Sequence, residues 1–281
     1  MKFILIIIII LILIRIIDTL LVFFFEPKHR RSNGKILNAQ SILKKRGKIG
    51  VLIVHGTTGS PNDAKELVNY LVSKNITVSV PLLKGHGFNP IVLSKAKYQD
   101  WIKDAEKALI KLKKKVKDVY IAGICTGGEI ALLLSTKHKV SGILSLGTSV
   151  FYKADKLQKI IIPMLYLIFP YHFKFHRFML LERGAYASVP LKSMLELFKL
   201  NKELRQSLNK VKAPALIMQA TKDYSINPKS AQYIYDNISS KHKELKWFKT
   251  IEAVHVVSVD ADKKQLFDVI YKFIKKKKKW I

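Results

Sequence analysis

Residues 119–128, Val-Tyr-Ile-Ala-Gly-Ile-Cys-Thr-Gly-Gly, run from an apolar segment into a helical stretch from Glu129 to Thr136. The apolar part, Val119 to Ile124, reads as a strand buried in a parallel sheet. Gly123 and Gly127 flank Cys125 at two residues on either side. A strand–turn–helix this tight admits only glycine at those positions and lifts the central side chain into the open at a helix N-terminus. A helix N-terminus and a nearby imidazole favour a thiolate, which makes cysteine a sound nucleophile there. A lone cysteine is more often a small buried hydrophobe; the neighbours of Cys125 set it apart. With one cysteine in the chain, no intramolecular disulfide can form and the redox compartment is not indicated.

Working outward, strands and helices alternate. Ile49 to Val54 is a second buried strand and leads into His55-Gly56-Thr57-Thr58-Gly59-Ser60-Pro61, where Ser60 can cap the next helix with Pro61 at its first position. Ile76 to Val80 is a strand ended by Pro81 and followed by the turn Leu83-Lys84-Gly85-His86-Gly87. Tyr98 to Val116 is a Lys-rich amphipathic surface helix. Val140 to Leu146, Pro214 to Ala220 and Leu245 to Ile251 are further strands, with helices from Pro228 to Ile238 and Asp262 to Ile274. The alternation predicts one α/β domain with a mostly parallel sheet flanked by helices.

Asp223 follows the strand Ala215 to Ala220, and His255 follows the strand ending at Ile251. Both stand just past C-terminal strand ends, where open α/β sheets place their sites. The chain order nucleophile, acid, base is Cys125, Asp223, His255. Asp118, Asp155 and Asp260 are weaker candidates for the acid, and Asp260 suits a helix cap better. The scattered histidines show no metal-ligand spacing such as H-E-x-x-H, so no metal or other cofactor is expected.

At these residues the chain resembles the α/β-hydrolase family, in particular small bacterial carboxylesterases and monoacylglycerol lipases. His55 to Pro61 is similar to their oxyanion-loop motif. Lys84-Gly85-His86-Gly87 resembles their P-G-H-G turn, with lysine in place of proline. Thr221-Lys222-Asp223 and His255-Val256-Val257-Ser258-Val259-Asp260 resemble their acid and base segments. The family normally has serine where Cys125 stands. Gly-Ile-Cys-Thr-Gly-Gly also resembles the elbow of polyhydroxyalkanoate synthases, and dienelactone hydrolases likewise use cysteine in this fold. The resemblance implies an oxyanion hole from the backbone N–H groups of Thr57 and Thr126. It implies hydrolysis of carboxylic esters through an acyl-enzyme. Acyl transfer by the same triad, or a non-catalytic membrane-tethered binding module, are the alternatives.

Between Thr148 and Val211 the alternation stops, and residues 149–211 read as an insert. Ile160 to Phe173 is apolar, interrupted by Pro163 and Pro170, with aromatics at Phe169, Tyr171, Phe173, Phe175 and Phe178. A helical lid that shapes an apolar pocket and excludes water fits this pattern; extra core packing or a second shallow membrane contact is the other reading. His55, Gly56, His86, Phe169 and Phe173 are the candidate substrate-binding residues. For His86, a hydrogen bond that stabilises its loop is the simpler role.

Residues Phe3 to Phe25 are apolar apart from Arg15 and Asp18. At 1.5 Å per residue this stretch is about 34 Å long, enough to cross a bilayer. Arg15 and Asp18 are three apart, share a face and can pair. Arg15 could also end a signal-peptide core, but no small-x-small cleavage site follows. The reading is an anchor over residues 1–26, a basic linker over 27–48 with room for a short strand, and the hydrolase domain over 49–281. Lys28, Arg30, Arg31 and Lys35 then place that domain on the cytoplasmic side.

The formal net charge is +30, from 50 Lys+Arg against 20 Asp+Glu. Lysine is spread along the whole chain and no nucleic-acid motif is present, so no nucleic-acid partner is expected. For a tethered protein the anionic lipid surface is the simpler partner, and the tail Lys275 to Lys279 with Trp280 and Ile281 suits it, unless it is a solvated helix end. The other expected partner is a lipophilic ester or acyl substrate.

Overall fold

The computed structural model describes residues 2–26, 31–32, 35–37, 39–153, 155–173, 185–223, 225–249 and 263–276. Seven strands form the central sheet: β1 (Ile42–Lys44), β2 (Ile49–Val54), β3 (Thr77–Val80), β4 (Asp118–Ile124), β5 (Gly142–Leu146), β6 (Ala215–Ala220) and β7 (Lys243–Phe248). Their spatial order is β7-β6-β5-β4-β2-β3-β1. Every pair is parallel except β1 with β3, where Ile42 faces Val80.

Alternate residues of a strand point to opposite faces, and here both faces are covered. Leu52, Val54, Val119 and Ile121 pack under helices α3 (Tyr98–Lys113), α4 (Thr126–Lys137) and α6 (Leu191–Ser207). Val51, Ile53, Tyr120 and Ala122 pack under α2 (Lys65–Ser73) and α8 (Lys263–Lys275). Burial on both sides is why these strands read as continuous apolar runs. The remaining helix of the layers, α7 (Lys229–Asn237), covers the β6–β7 edge. A single turn, Pro61–Ala64, is capped by Ser60, with Asp63 bonding back to the Ser60 N–H, and leads into α2.

Three features differ from the sequence reading. The linker stretch supplies the edge strand β1, and Ile36 and Ala39 are buried in the core, so the packed domain starts ahead of Ile49. Strand β7 begins at Lys243 rather than Leu245; it is the sheet's outer strand, where Lys243, Glu244 and Lys246 reach solvent. Pro163 lies inside α5 (Asp155–Ile168) without ending it, removing one backbone donor.

Helices α5 and α6 form a cap with an antiparallel ribbon that joins Tyr171–Phe173 to Ser188–Pro190. Helix α1 (Lys2–Phe25) is long and apolar enough to cross a membrane. It packs against α5 and the ribbon.

Candidate active site

Cys125 joins β4 to α4 with φ 54° and ψ −119°, a left-handed conformation costly for a residue with a side chain. Close packing enforces it. A Cβ on Gly123 would lie 2.2 Å from the Gly127 carbonyl oxygen, and one on Gly127 would lie 2.0 Å from that of Val54. Backbone bonds pin the turn, with the Cys125 N–H on the Leu146 carbonyl at 2.9 Å and the Gly128 N–H on the Cys125 carbonyl at 2.9 Å. The Cys125 side chain is half-buried at the N-terminus of α4, where the helix dipole favours negative charge.

The loop after β2 faces it. A Cβ on Gly56 would stand 3.9 Å from the Cys125 sulfur, so this backbone borders the thiol. The Thr57 and Thr126 hydroxyls are 2.6 Å apart, and the Thr126 hydroxyl is 3.8 Å from the sulfur. As the first residue of α4, Thr126 has an N–H with no acceptor inside the helix. Thr58 is also left-handed, at φ 62°, and its carbonyl accepts the Tyr186 N–H at 3.0 Å. The Tyr186 hydroxyl donates to Gly85 O and accepts from Phe88 N, tying the two site loops together. Sequence reasoning missed Tyr186, whose partners lie about a hundred positions away.

His55 and His86 form the inner wall of these loops. Both are buried, with ring centroids 4.8 Å apart, and His86 packs edge-on to Trp101. Nδ1 of His55 donates to Gly56 O, while Nε2 accepts the Leu83 N–H. Nδ1 of His86 lies 3.2 Å from the Lys84 carbonyl. Burial holds the His55 pKa down at about 4, and burial plus the neighbouring His55 holds that of His86 well below the usual imidazole range. Both rings are therefore neutral and serve to shape the loops.

Asp223 follows β6 and is buried. One carboxylate oxygen accepts the N–H groups of Ser225 and Ile226, each at 2.8 Å, and the other accepts Gln219 Nε2 at 3.1 Å. In the sheet Ile124 aligns with Leu146, and Leu146 with Met218, so Cys125 and Asp223 leave the same edge two strands apart. Two strand spacings make about 10 Å. His255, like Asp260, Phe175, Phe178 and the tail beyond Lys276, lies outside the described residues.

Asp118 opens β4 at the opposite edge of the sheet, away from Cys125, and Asp155 pairs with Lys159. Phe169 is exposed at the end of α5, and Phe173 is half-buried in the ribbon beside α1.

A buried carboxyl in the helix that follows Cys125 was also missed. Glu129, in the first turn of α4, accepts from the Ser149 hydroxyl and from Asn201 Nδ2. Arg205 donates to Asn201 Oδ1 at 2.6 Å. Burial pushes the Glu129 pKa well above the carboxylate range, and the nearby Cys125 adds to the rise. Its one sequence signal is a charge opening the apolar run Ile130 to Leu134.

The chain is similar to known hydrolases over most of its length. A family model described as "Serine aminopeptidase, S33" matches residues 46–174 and 186–262. The chain is 26% identical over 249 residues to a thermostable monoacylglycerol lipase of Bacillus sp. (strain H-257), covering 85% of this chain and 95% of that protein. It is 25% identical over 250 residues to a carboxylesterase of Bacillus subtilis (strain 168), covering 86% and 98%. A solved structure from the metagenome-derived lipolytic enzymes LipS and LipT superposes with a TM-score of 0.78 at 25% identity, covering 85% of this chain and 98% of that one.

Proposed function

Because the chain belongs to the α/β-hydrolase family described as serine aminopeptidase S33, and is a carboxylic ester hydrolase of the esterase/lipase kind, we propose that Cys125 is its acylated nucleophile, working with His255 and Asp223. The observation that carries the reading is the left-handed turn at Cys125, which aims the sulfur past Gly56 and Thr126 at the head of α4.

In the proposed cycle His255 takes the thiol proton and the sulfur attacks the ester carbonyl. Charge gathers on the carbonyl oxygen, where the N–H groups of Thr57 and Thr126 receive it. The tetrahedral intermediate collapses, the C–O bond breaks, and His255 returns the proton to the departing alcohol. Water then attacks the thioester with His255 as base, releasing the acid and restoring the thiol. The strands that lead to Cys125 and Asp223 are two apart, about 10 Å, a spacing that suits an intervening imidazole. The three donors to Asp223 fix the carboxylate that would orient that ring.

The acyl group is lipophilic. Support comes from the relatives' names, which specify monoacylglycerol and carboxylic esters, and from the apolar cap. We place the protein at a membrane through α1, with the anionic lipid surface as partner of its basic face and the domain on the cytoplasmic side. Turnover of short and long p-nitrophenyl esters by the full chain tests the nucleophile. Cys125→Ala is expected to lower kcat by about 10⁴ or more; full turnover by that variant contradicts the assignment.

A further inference from the structure

Helix α1 lies outside the family match, which begins at residue 46, yet it is built into the cap. Leu11, Arg15, Asp18, Val22 and Glu26 follow one another at three- and four-residue steps and form its covered stripe. The three charges on that stripe all meet backbone groups of the cap. Nη1 of Arg15 donates to the carbonyls of Tyr166 and Leu167, in the last turn of α5. Asp18 accepts the Tyr171 N–H at 2.9 Å. Glu26 accepts the N–H groups of Ala187 and Ser188 and the Ser188 hydroxyl. Arg15 and Asp18 attract each other electrostatically, as expected, and each also bonds to a cap partner some 150 positions away.

These are the groups that a lipid environment would leave unsatisfied. The last carbonyls of a helix lack donor partners, and the edge of a short ribbon exposes its N–H groups. Charges inside a membrane need partners from within the protein, and backbone at membrane depth must be bonded internally. On its open side Arg15 borders a cavity of about 210 Å³ whose lining is largely polar, with Thr19, Ser94, Tyr166, Tyr171 and Lys192 beside Pro170.

The outer faces are apolar on both elements. Ile12, Ile16, Leu20 and Phe24 of α1 are exposed, as are Ile160, Met164 and Leu167 of α5. From Ile160 to Phe173 there is no Lys, Arg, Asp or Glu. A patch of this kind marks an interaction surface. Its continuity with a helix able to cross a membrane identifies the occupant as lipid acyl chains.

We propose that α1 and the cap enter the bilayer as one unit, with acyl chains covering α1 and α5 and with Arg15, Asp18 and Glu26 as the ties between them. This rests on the membrane reading of α1. The position of the cap, and so the mouth of the site, then follows the anchor.

The test uses the full chain in phosphatidylcholine vesicles containing a phosphatidylcholine with a photoreactive diazirine in its acyl chain, with labelled peptides mapped by mass spectrometry. Label is expected on residues 2–26 and on 155–169, at least five-fold above that on the surface helix α3. In the Arg15→Leu/Asp18→Leu variant, label on 155–169 should fall at least five-fold while α1 stays labelled. Turnover of a water-soluble ester by the same preparation reports whether the variant is folded. Labelled α1 with the cap of the unaltered chain no more labelled than α3 overturns the proposal and leaves the anchor standing. An unlabelled α1 overturns both, and turnover of the soluble ester then shows separately whether the catalytic reading survives.

Discussion

The hydroxyls of Thr57 and Thr126 are 2.6 Å apart, which links the loop after β2 directly to the first turn of α4 beside the nucleophile. Their backbone N–H groups are the proposed oxyanion donors, so this side-chain bond sets the spacing of two groups that act through their main chains. Thr57→Val keeps the backbone donor and the volume but removes the bond. We expect kcat to fall about ten-fold, or about 1.4 kcal/mol, with KM little changed, because the donors matter most in the transition state. Steady-state kinetics on a short-chain ester checks the split.

Gly127 and Gly56 border the same turn but should respond differently to alanine. A Cβ on Gly127 meets the Val54 carbonyl at 2.0 Å and the His55 carbonyl at 2.9 Å, both rigid backbone. Gly127→Ala is expected to cost more than about 4 kcal/mol and to prevent a cooperative thermal transition. A Cβ on Gly56 meets the Cys125 Cβ at 3.2 Å. Gly56→Ala should fold and lose about 100-fold in turnover by crowding the nucleophile. Thermal midpoint and turnover, measured together, separate the two.

Asp223→Asn retains an oxygen for the Ser225 and Ile226 N–H groups but turns an amide toward Gln219 or the site. The fold should persist while kcat drops by about 10⁴, as expected when the group orienting a catalytic imidazole is neutralised. A drop of less than ten-fold in steady-state kcat contradicts Asp223 as the acid.

Two buried groups give opposing pH dependences. His55 titrates near pH 4 in the folded protein against 6.5 when unfolded. The unfolded chain therefore binds the extra proton first, and the stability gained by keeping His55 neutral is lost as pH falls from 6.5 through about 4. Burial raises the Glu129 pKa well above the ordinary glutamate value of 4.5. The folded protein then holds the proton longer, and stability declines as pH rises above about 4.5. Glu129→Gln should flatten the alkaline side of a plot of thermal midpoint against pH and leave the acid side intact. An unchanged alkaline side contradicts the placement of Glu129 as a buried, protonated carboxyl.

Much of the fold is legible in sequence because the sheet is covered on both faces, so β2 and β4 appear as unbroken apolar runs, and because Gly123 and Gly127 have no other tolerable occupants. Strand β1 is legible only as a short strand somewhere in the basic stretch: three residues, Ile42-Leu43-Lys44, carry no period to fix their place, and their pairing is with β3. The Tyr171–Ser188 ribbon, the Tyr186 tie and the contacts of Arg15 and Asp18 depend on partners far along the chain, where local spacing carries no information. Read locally, Arg15 and Asp18 look like a pair three residues apart; in three dimensions each serves the cap. Glu129 looks like an ordinary first-turn acid until the packing of Ser149 and Asn201 encloses it.

Acylation of Cys125 is the most direct test of the account. Intact-mass and peptide mass spectrometry after brief incubation with a long-chain p-nitrophenyl ester should show one acyl group on Cys125 that decays in water, and a longer-lived oxygen ester or no adduct in Cys125→Ser. An unmodified Cys125 during measurable turnover, or an adduct on any other residue, would contradict it.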